Sequence, residues 1–212
     1  MKKMKLVCFD MDGVLYKDIN FRMSLHKALG TLEEGKILTK KYLHSDYNRL
    51  IQEVVGNLWK DKETGPYFSL INSLEYNEGI DILFKHIKEK GYLTAIITAS
   101  TLDAARRIQR EYGIDFIFAN SLGISNNKFN GTFFGLIEEG YLKKQKIVKQ
   151  LAHILGLELS NVIFIGDSDN DVEAASIAGT SIAFNATSDQ LRAVATHIVD
   201  TDDLSNCIRY IL

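Results

Sequence analysis

From residue 78 onward, short apolar runs of β-type residues alternate with amphipathic helical stretches, and this alternation restricts the fold more than any other feature. Residues 78–90 place Ile80, Leu83, Phe84 and Ile87 on one helical face, with Gly91 behind them as a C-cap. Residues 93–98 read as a buried strand, 103–112 as a helix closed by Gly113, and 116–119 as a short strand. Residues 122–135 predict a hairpin that turns near Asn126 and Asn127. Helices are expected over 144–155, 171–178, 189–195 and 204–212, with strands over 162–165, 181–184 and 197–199 between them. Strands separated by helices pair in parallel, and a parallel sheet needs helices on both faces. The expected fold is α/β: a three-layer, doubly wound parallel sheet.

The first strand lies far upstream. Leu6, Val7, Cys8 and Phe9 form an apolar run that stops at Asp10-Met11-Asp12-Gly13-Val14-Leu15. Gly13 need only let the chain turn away. From about Asp18 to Leu74 the pattern is helical, with Leu25, Leu29 and Leu32, then Ile37, Leu38 and Tyr42, then Leu50, Val54 and Leu58 at helical spacing. Gly30, Gly35, Gly56 and Gly65-Pro66 punctuate it, the last pair marking a turn near its end. A small all-helical cap is therefore expected between the first strand and the rest. The division predicted is a core of residues 1–16 and 77–212, with a cap of residues 17–76.

A chain of 212 residues suits one domain with such an insertion. Its net charge of −2 offers no general attraction to nucleic acid or an anionic membrane. No apolar run reaches the ~20 residues of a membrane span, and the basic start Met1-Lys2-Lys3 precedes too short an apolar run for a signal peptide. Cys8 and Cys207 stand far apart, outside any metal-type spacing, and are expected as buried hydrophobes. These features point to a cytoplasmic protein, monomer or homodimer, with no nucleic-acid or membrane partner. The five histidines, His26, His44, His86, His153 and His197, have no metal-type grouping and read as structural.

The chemistry concentrates where strands end. Asp10 and Asp12 are two residues apart and start on the same side of an extended chain. Two carboxylates so placed repel unless a cation lies between them or one is protonated. A second acidic cluster, Gly166-Asp167-Ser168-Asp169-Asn170-Asp171, also follows a strand. Helix capping accounts for one or two of those residues, whereas a hard divalent cation such as Mg2+ accounts for the set. Thr98 ends another strand, followed by Ala99, Ser100 and Thr101; a hydroxyl and free backbone N–H groups there suit an anion, although a plain N-cap uses the same residues. The lysine run Lys143-Lys144-Gln145-Lys146 opens a helix and can send one cation inward. Thr98, Ala99, Asn170 and one of these lysines are the candidate phosphate contacts; Asp10, Asp12, Asp167 and Asp171 are the candidate Mg2+ residues. Asp10 then reads as a nucleophile toward phosphorus and Asp12 as its acid/base partner, with an aspartyl-phosphate between two steps.

These four stretches, in this order, resemble the motifs of the haloacid dehalogenase superfamily. The resemblance implies that Asp10 is the nucleophile, and that the metal is held by its side chain, by the backbone carbonyl of Asp12 and by the later acidic motif. Asp12 matches the phosphatase and phosphomutase branches. From residue 78 on, Phe118-Ala119-Asn120-Ser121-Leu122, the hairpin, and Ile165-Gly166-Asp167 with Asn170-Asp171 are similar to the phosphoserine phosphatases, and that similarity makes Lys144 the motif lysine. Thr98-Ala99-Ser100 stands where that family has Ser-Gly-Gly, and Ile19 roughly where it has a substrate-binding Glu. Arg22 and Arg49 are the cap arginines. The implied activity is Mg2+-dependent hydrolysis of a small-molecule phosphate ester, phosphoserine first among them. The alternatives are another small ester, such as a sugar phosphate or phosphoglycolate, and a phosphotransferase or phosphomutase.

Overall fold

A strand that is apolar on both sides must be covered on both, and Leu6, Val7, Cys8 and Phe9 are all fully buried. The computed structural model describes residues 4–17, 20–43, 45–137 and 143–212. Met1, Lys2, Lys3, Asp18, Ile19 and His44 thus lie outside the described residues. The strands are β1 (Leu6–Phe9), β2 (Leu93–Thr101), β3 (Phe116–Ser125), β4 (Lys128–Phe134), β5 (Val162–Gly166), β6 (Thr180–Phe184) and β7 (His197–Val199). They form one sheet in the order β4-β3-β2-β1-β5-β6-β7, parallel apart from the antiparallel edge strand β4. Val7 and Phe9 pack with α5 (Ile80–Lys90), α6 (Leu102–Tyr112) and the 3-10 segment Leu204–Tyr210. Leu6 and Cys8 face α7 (Lys144–Ile154), α8 (Val172–Ala175) and α9 (Asp189–Val194) on the other side. The three-layer, doubly wound expectation matches this arrangement. Both cysteines are buried and free, as expected.

Several element boundaries differ from the sequence reading for local reasons. The short strand at 116–119 and the first hairpin arm are one strand, β3, which pairs in parallel with β2 up to Asn120 and antiparallel with β4 from Ser121. Its turn sits at Asn126 and Asn127, both at positive φ, which asparagine tolerates in tight hairpins. The helix expected over 171–178 ends at Ala175, where the Ser176 hydroxyl adds a bond to the Val172 carbonyl at 2.7 Å and the next N–H, of Ile177, reaches back only three residues, to Ala174 at 3.4 Å.

The residues after β1 form the helical cap: α1 (Phe21–Ala28), α2 (Leu32–Tyr42), α3 (Tyr47–Ile51), a π-helical stretch Gln52–Leu58, and α4 (Gly65–Ser73). Gly65-Pro66 opens α4 where a turn was expected, because proline's missing N–H costs nothing in a first helical turn. Gly35 and Gly56 lie inside helical segments where they were expected to punctuate them. The chain leaves and re-enters the core side by side: Tyr16 bridges Tyr76, and Asn77 N–H donates to the Leu15 carbonyl at 3.0 Å. The hairpin grips the cap through Asp61 N–H to Phe129 carbonyl (2.8 Å) and Thr64 N–H to Asn127 carbonyl (2.8 Å). Arg107 ties down the end of α4 by donating to the carbonyls of Ile71 (2.8 Å) and Leu74 (2.9 Å). No described helix is long and apolar enough to cross a membrane.

The cap has its own buried polar centre, and here a glycine is required by close approach. A Cβ on Gly35 would lie 2.5 Å from the His26 ring. The Trp59 indole donates to His26 Nδ1 at 3.2 Å; an indole N–H can only donate, so Nδ1 accepts and the ring is held neutral. Burial, aided by the Arg22 charge, pushes His26 down to about 4. The unfolded imidazole takes its proton near its ordinary value of 6.5, so between pH 6.5 and about 4 the unfolded chain binds more protons. Stability should fall by about 3 kcal/mol as pH drops through that window. Denaturant midpoints of wild type and His26→Gln should converge toward acid pH; parallel curves would refute the assignment.

Candidate active site

Strand order reverses at β1: the chain builds outward through β2 and β3, then crosses to β5 on the other side. Such a switch point leaves a crevice beyond the strand carboxyl ends, and Asp10 follows β1 there as Asp167 follows β5. A cavity of about 720 Å³ lies between this edge and the cap, with Asp10, Asp12, Thr98 and Asp167 among its lining residues.

The turn after β1 is tightly bonded. Leu15 and Tyr16 N–H groups both donate to the Met11 carbonyl, at 2.9 and 3.0 Å, and Gly13 N–H donates to Tyr16. Met11 N–H donates to Asp10 Oδ1 at 2.7 Å, orienting that carboxylate. The Asn77 amide holds the carbonyls of Gly13 (3.1 Å) and Val14 (2.8 Å) from the far end of the cap. Gly13 does more than let the chain turn: at φ +81 it lies against the Asp167 carboxylate, with no room for a side chain.

Lys144 is the inward lysine of its run. It is 3% exposed, and its Nζ lies 2.8 Å from Asp10 Oδ1 and 2.7 Å from Asp171 Oδ1. Lys143 instead pairs with Glu173 at the surface. The remaining oxygen of Asp171 accepts from the N–H groups of Asp167 (3.1 Å) and Ser168 (3.2 Å), closing a capping box with Ser168. Asp169 bonds the Ser188 hydroxyl. Capping thus engages only Asp171, Asp169 is held by Ser188, and Asp167 differs from both: its Oδ1 is buried without a partner, as is Oδ1 of Asp12. Asp10, Asp167 and Asp171 each present an oxygen within 4.8 Å of the others. An all-carboxylate donor set with orphaned buried oxygens fits a hard cation such as Mg2+.

Burial shapes the acidity of this group. It raises Asp10 to about 6, against the pull of Lys144. It raises Asp12 to about 7, with the Asp10 charge adding to the shift. Asp167 reaches about 8 through burial and the charges of Asp10 and Asp171. Lys144 moves up as well, because its two carboxylate partners outweigh its burial.

At Thr98 the expected helix start is a bulged strand. β2 pairs Ile97 with Phe118 and Thr101 with Asn120, so Thr98, Ala99 and Ser100 stand opposite a single residue. The extra residues leave the ladder there. Ser100 N–H donates to Thr98 Oγ1 at 3.1 Å, so the Thr98 hydroxyl proton remains available to an anion. Ser100 Oγ is buried, lines the cavity and sits beside Asp12, whose carboxylate it helps to hold in the charged form. Asn170 sits exposed at the rim, near Ser168 Oγ at 3.3 Å. Arg22 lines the cavity; Arg49 does not, and pairs with Glu53. Three contributors escaped the sequence reading: Asn77, Ser100 and Asn120. The Asn120 amide uses both ends, donating to the carbonyls of Ala99 (2.8 Å) and Ile137 (2.9 Å) and accepting from Leu136 and Ile137 N–H. Of these only Ser100, near the end of β2, carried a strand-end signal, which is a common one; Asn120 lies within β3 and Asn77 between α4 and α5.

Comparison with known proteins agrees with this geometry. The family model of the haloacid dehalogenase-like hydrolases matches residues 4–179. The phosphoserine phosphatase of Methanocaldococcus jannaschii is 29% identical over 213 residues, covering 99% of both chains. A substrate-bound phosphoserine phosphatase complex superimposes with a TM-score of 0.84 at 26% identity over 99% of both chains. A phospho-aspartyl intermediate analogue of phosphoserine phosphatase gives 0.83 at 28% identity, again over 99% of both chains.

Proposed function

This chain belongs to the haloacid dehalogenase-like hydrolases, and from that premise we propose that it is a Mg2+-dependent phosphatase of small soluble phosphate monoesters, acting through an aspartyl-phosphate on Asp10. The observation that carries the reading is the shared lysine. Lys144 fixes Asp10 and Asp171 at once, while Asp167 keeps a buried oxygen free in the same space. We treat residues 17–76 as the cap and 1–16 with 77–212 as the core; the bridge between Tyr16 and Tyr76 supports that division.

Asp10 attacks phosphorus through the oxygen that Lys144 and Met11 N–H do not hold. Asp12, raised to about 7, keeps part of its proton near neutral pH and can give it to the leaving alcohol. The same carboxylate then takes a proton from the water that cleaves the aspartyl-phosphate. Thr98 and Ser100 hydroxyls with the Lys144 ammonium hold the transferring oxygens, where most phosphoryl-transfer catalysis arises. Bound by Asp10, the Asp12 carbonyl and Asp167, with Asp171 behind them, Mg2+ would neutralise the facing negative charges. Asn170 and the Ala99 backbone complete the proposed phosphate contacts.

The experiment is phosphate release across a panel of esters headed by phosphoserine, with and without a chelator. Metal-dependent release is expected, and activity that survives chelation would refute the metal reading. Because Asp10 and Asp167 rise to about 6 and 8 in the metal-free protein, Mg2+ must displace protons to bind. Apparent Mg2+ affinity should therefore rise about tenfold or more from pH 6 to pH 8. Calorimetric titration at the two pH values checks this, and equal affinities would contradict it.

A further inference from the structure

The cavity has two unlike ends. Its floor carries Asp10, Asp12, Thr98 and Asp167, the groups assigned above to phosphate and metal. The cap wall facing them is built from Leu25 of α1, Leu50 of α3, Val54 and Val55 of the π-helical stretch, and Trp59 just after it. The core adds Leu122 and Phe133, a cross-strand pair of β3 and β4 that lines the same space. Lys36 and Lys40 of α2 also line it but are exposed to solvent. Arg22 lies against Tyr47, its guanidinium 5.7 Å from the ring centroid.

The π-helical stretch is what turns Trp59 into that wall. Trp59 N–H donates to the Val54 carbonyl at 2.8 Å, five residues back, so the indole stands one turn above Val54. In an α-helix the fifth residue lies about 140° round from the first, and Trp59 would leave the face that Val54 occupies. Such π-turns are rare and frequently mark functional sites. This one is braced by the hairpin, since a Cβ on Gly56 would lie 3.9 Å from the Gly131 carbonyl oxygen of β4. The indole is fixed as well, by its bond to His26 at 3.2 Å and by the Phe129 ring, 6.4 Å away between centroids. The wall is therefore preformed.

Apolar side chains on a cavity wall lie against water until a ligand covers them, and covering them is favourable in proportion to the apolar area. An ester held by its phosphate on the floor points its leaving group at this wall. Resting on the phosphatase reading above, we propose that the ester cleaved here has an apolar leaving alcohol, a hydrocarbon chain or ring, seated on Leu50, Val54, Val55 and Trp59. These four are the specificity-determining residues.

Ethyl, butyl and hexyl phosphate test this, because their alcohols leave with nearly equal ease and differ only in apolar length. The Mg2+-dependent kcat/KM should rise about threefold per added methylene, mainly through KM. Hexyl phosphate should also exceed O-phosphoserine by about tenfold or more, and 2-phenylethyl phosphate, the ring counterpart, should exceed ethyl phosphate by a similar factor. Val54→Thr and Val55→Thr keep the side-chain shape and add a hydroxyl to the wall; each should flatten the dependence on chain length. Melting curves check that both variants fold. Equal kcat/KM across the alkyl series would overturn the proposal, as would a preference of about tenfold for O-phosphoserine over hexyl phosphate. A chain-length dependence unchanged in both folded variants would overturn it too. Any of these results beside Mg2+-dependent cleavage of 4-nitrophenyl phosphate leaves the phosphatase reading standing. Absence of metal-dependent release from every ester overturns both.

Discussion

Asp10→Asn is expected to lower phosphatase turnover by at least ~10³-fold without lowering the melting temperature of the metal-free protein. The amide keeps an oxygen that can accept from Met11 N–H and Lys144, the two contacts that orient the wild-type side chain. It cannot attack phosphorus. Removing the charge also relieves its buried neighbours, since the Asp10 carboxylate is one cause of the upward shifts of Asp12 and Asp167. Asp171→Ala should behave in the opposite way. It strips Lys144 of a partner at 2.7 Å and leaves the N–H groups of Asp167 and Ser168 without their acceptor. Breaking one side of a buried ion pair costs about 3–5 kcal/mol, so that variant should melt well below wild type. Thermal melts beside phosphate-release assays separate the two. Full turnover in Asp10→Asn would refute the nucleophile assignment.

Those contrasting roles mark how far the sequence could be read. Asp10, Asp12 and Asp167 were legible because each directly follows an apolar β-run, and strand ends converge in a doubly wound sheet. The acidic motif was legible only as a group: Asp171, Asp169 and Asp167 look alike in a string. The division of labour among them depends on Lys144 and Ser188, which arrive from other elements. Asn77 was invisible for the same reason, since its amide serves carbonyls 63 and 64 residues earlier in the chain. Ser100 was hidden by the helix start expected there; the register shift between Ile97 and Thr101 frees it. Gly65-Pro66 misled because one dipeptide suits both a turn and a helix's first residues, and only the packing of α4 chooses. Which cap arginine reaches the cavity also depends on tertiary placement, and spacing alone left Arg22 and Arg49 equal.

Gly13→Ala should cost Mg2+ affinity about tenfold and turnover about a hundredfold, although it adds a single methyl group and touches no reacting atom. At φ +81 any residue with a Cβ is strained, a cost of about 1–2 kcal/mol. The direction of the new carbon matters more. It would stand 2.8 Å from Asp167 Cγ, and closer still to Oδ2, so the carboxylate must turn away. The backbone cannot yield in its place: Asn77 pins the carbonyls of Gly13 and Val14, and Gly13 N–H is bonded to Tyr16. Asp167 is also fixed at its own N–H by Asp171, which leaves only its side-chain rotamer to absorb the clash. A rotated Asp167 no longer presents its free oxygen to the space it shares with Asp10. The variant should therefore fold with a modest loss of stability, bind Mg2+ weakly in a calorimetric titration, and regain part of its turnover at high Mg2+. Wild-type affinity and turnover in Gly13→Ala would show that Asp167 does not need its present orientation, and would remove it from the proposed metal shell.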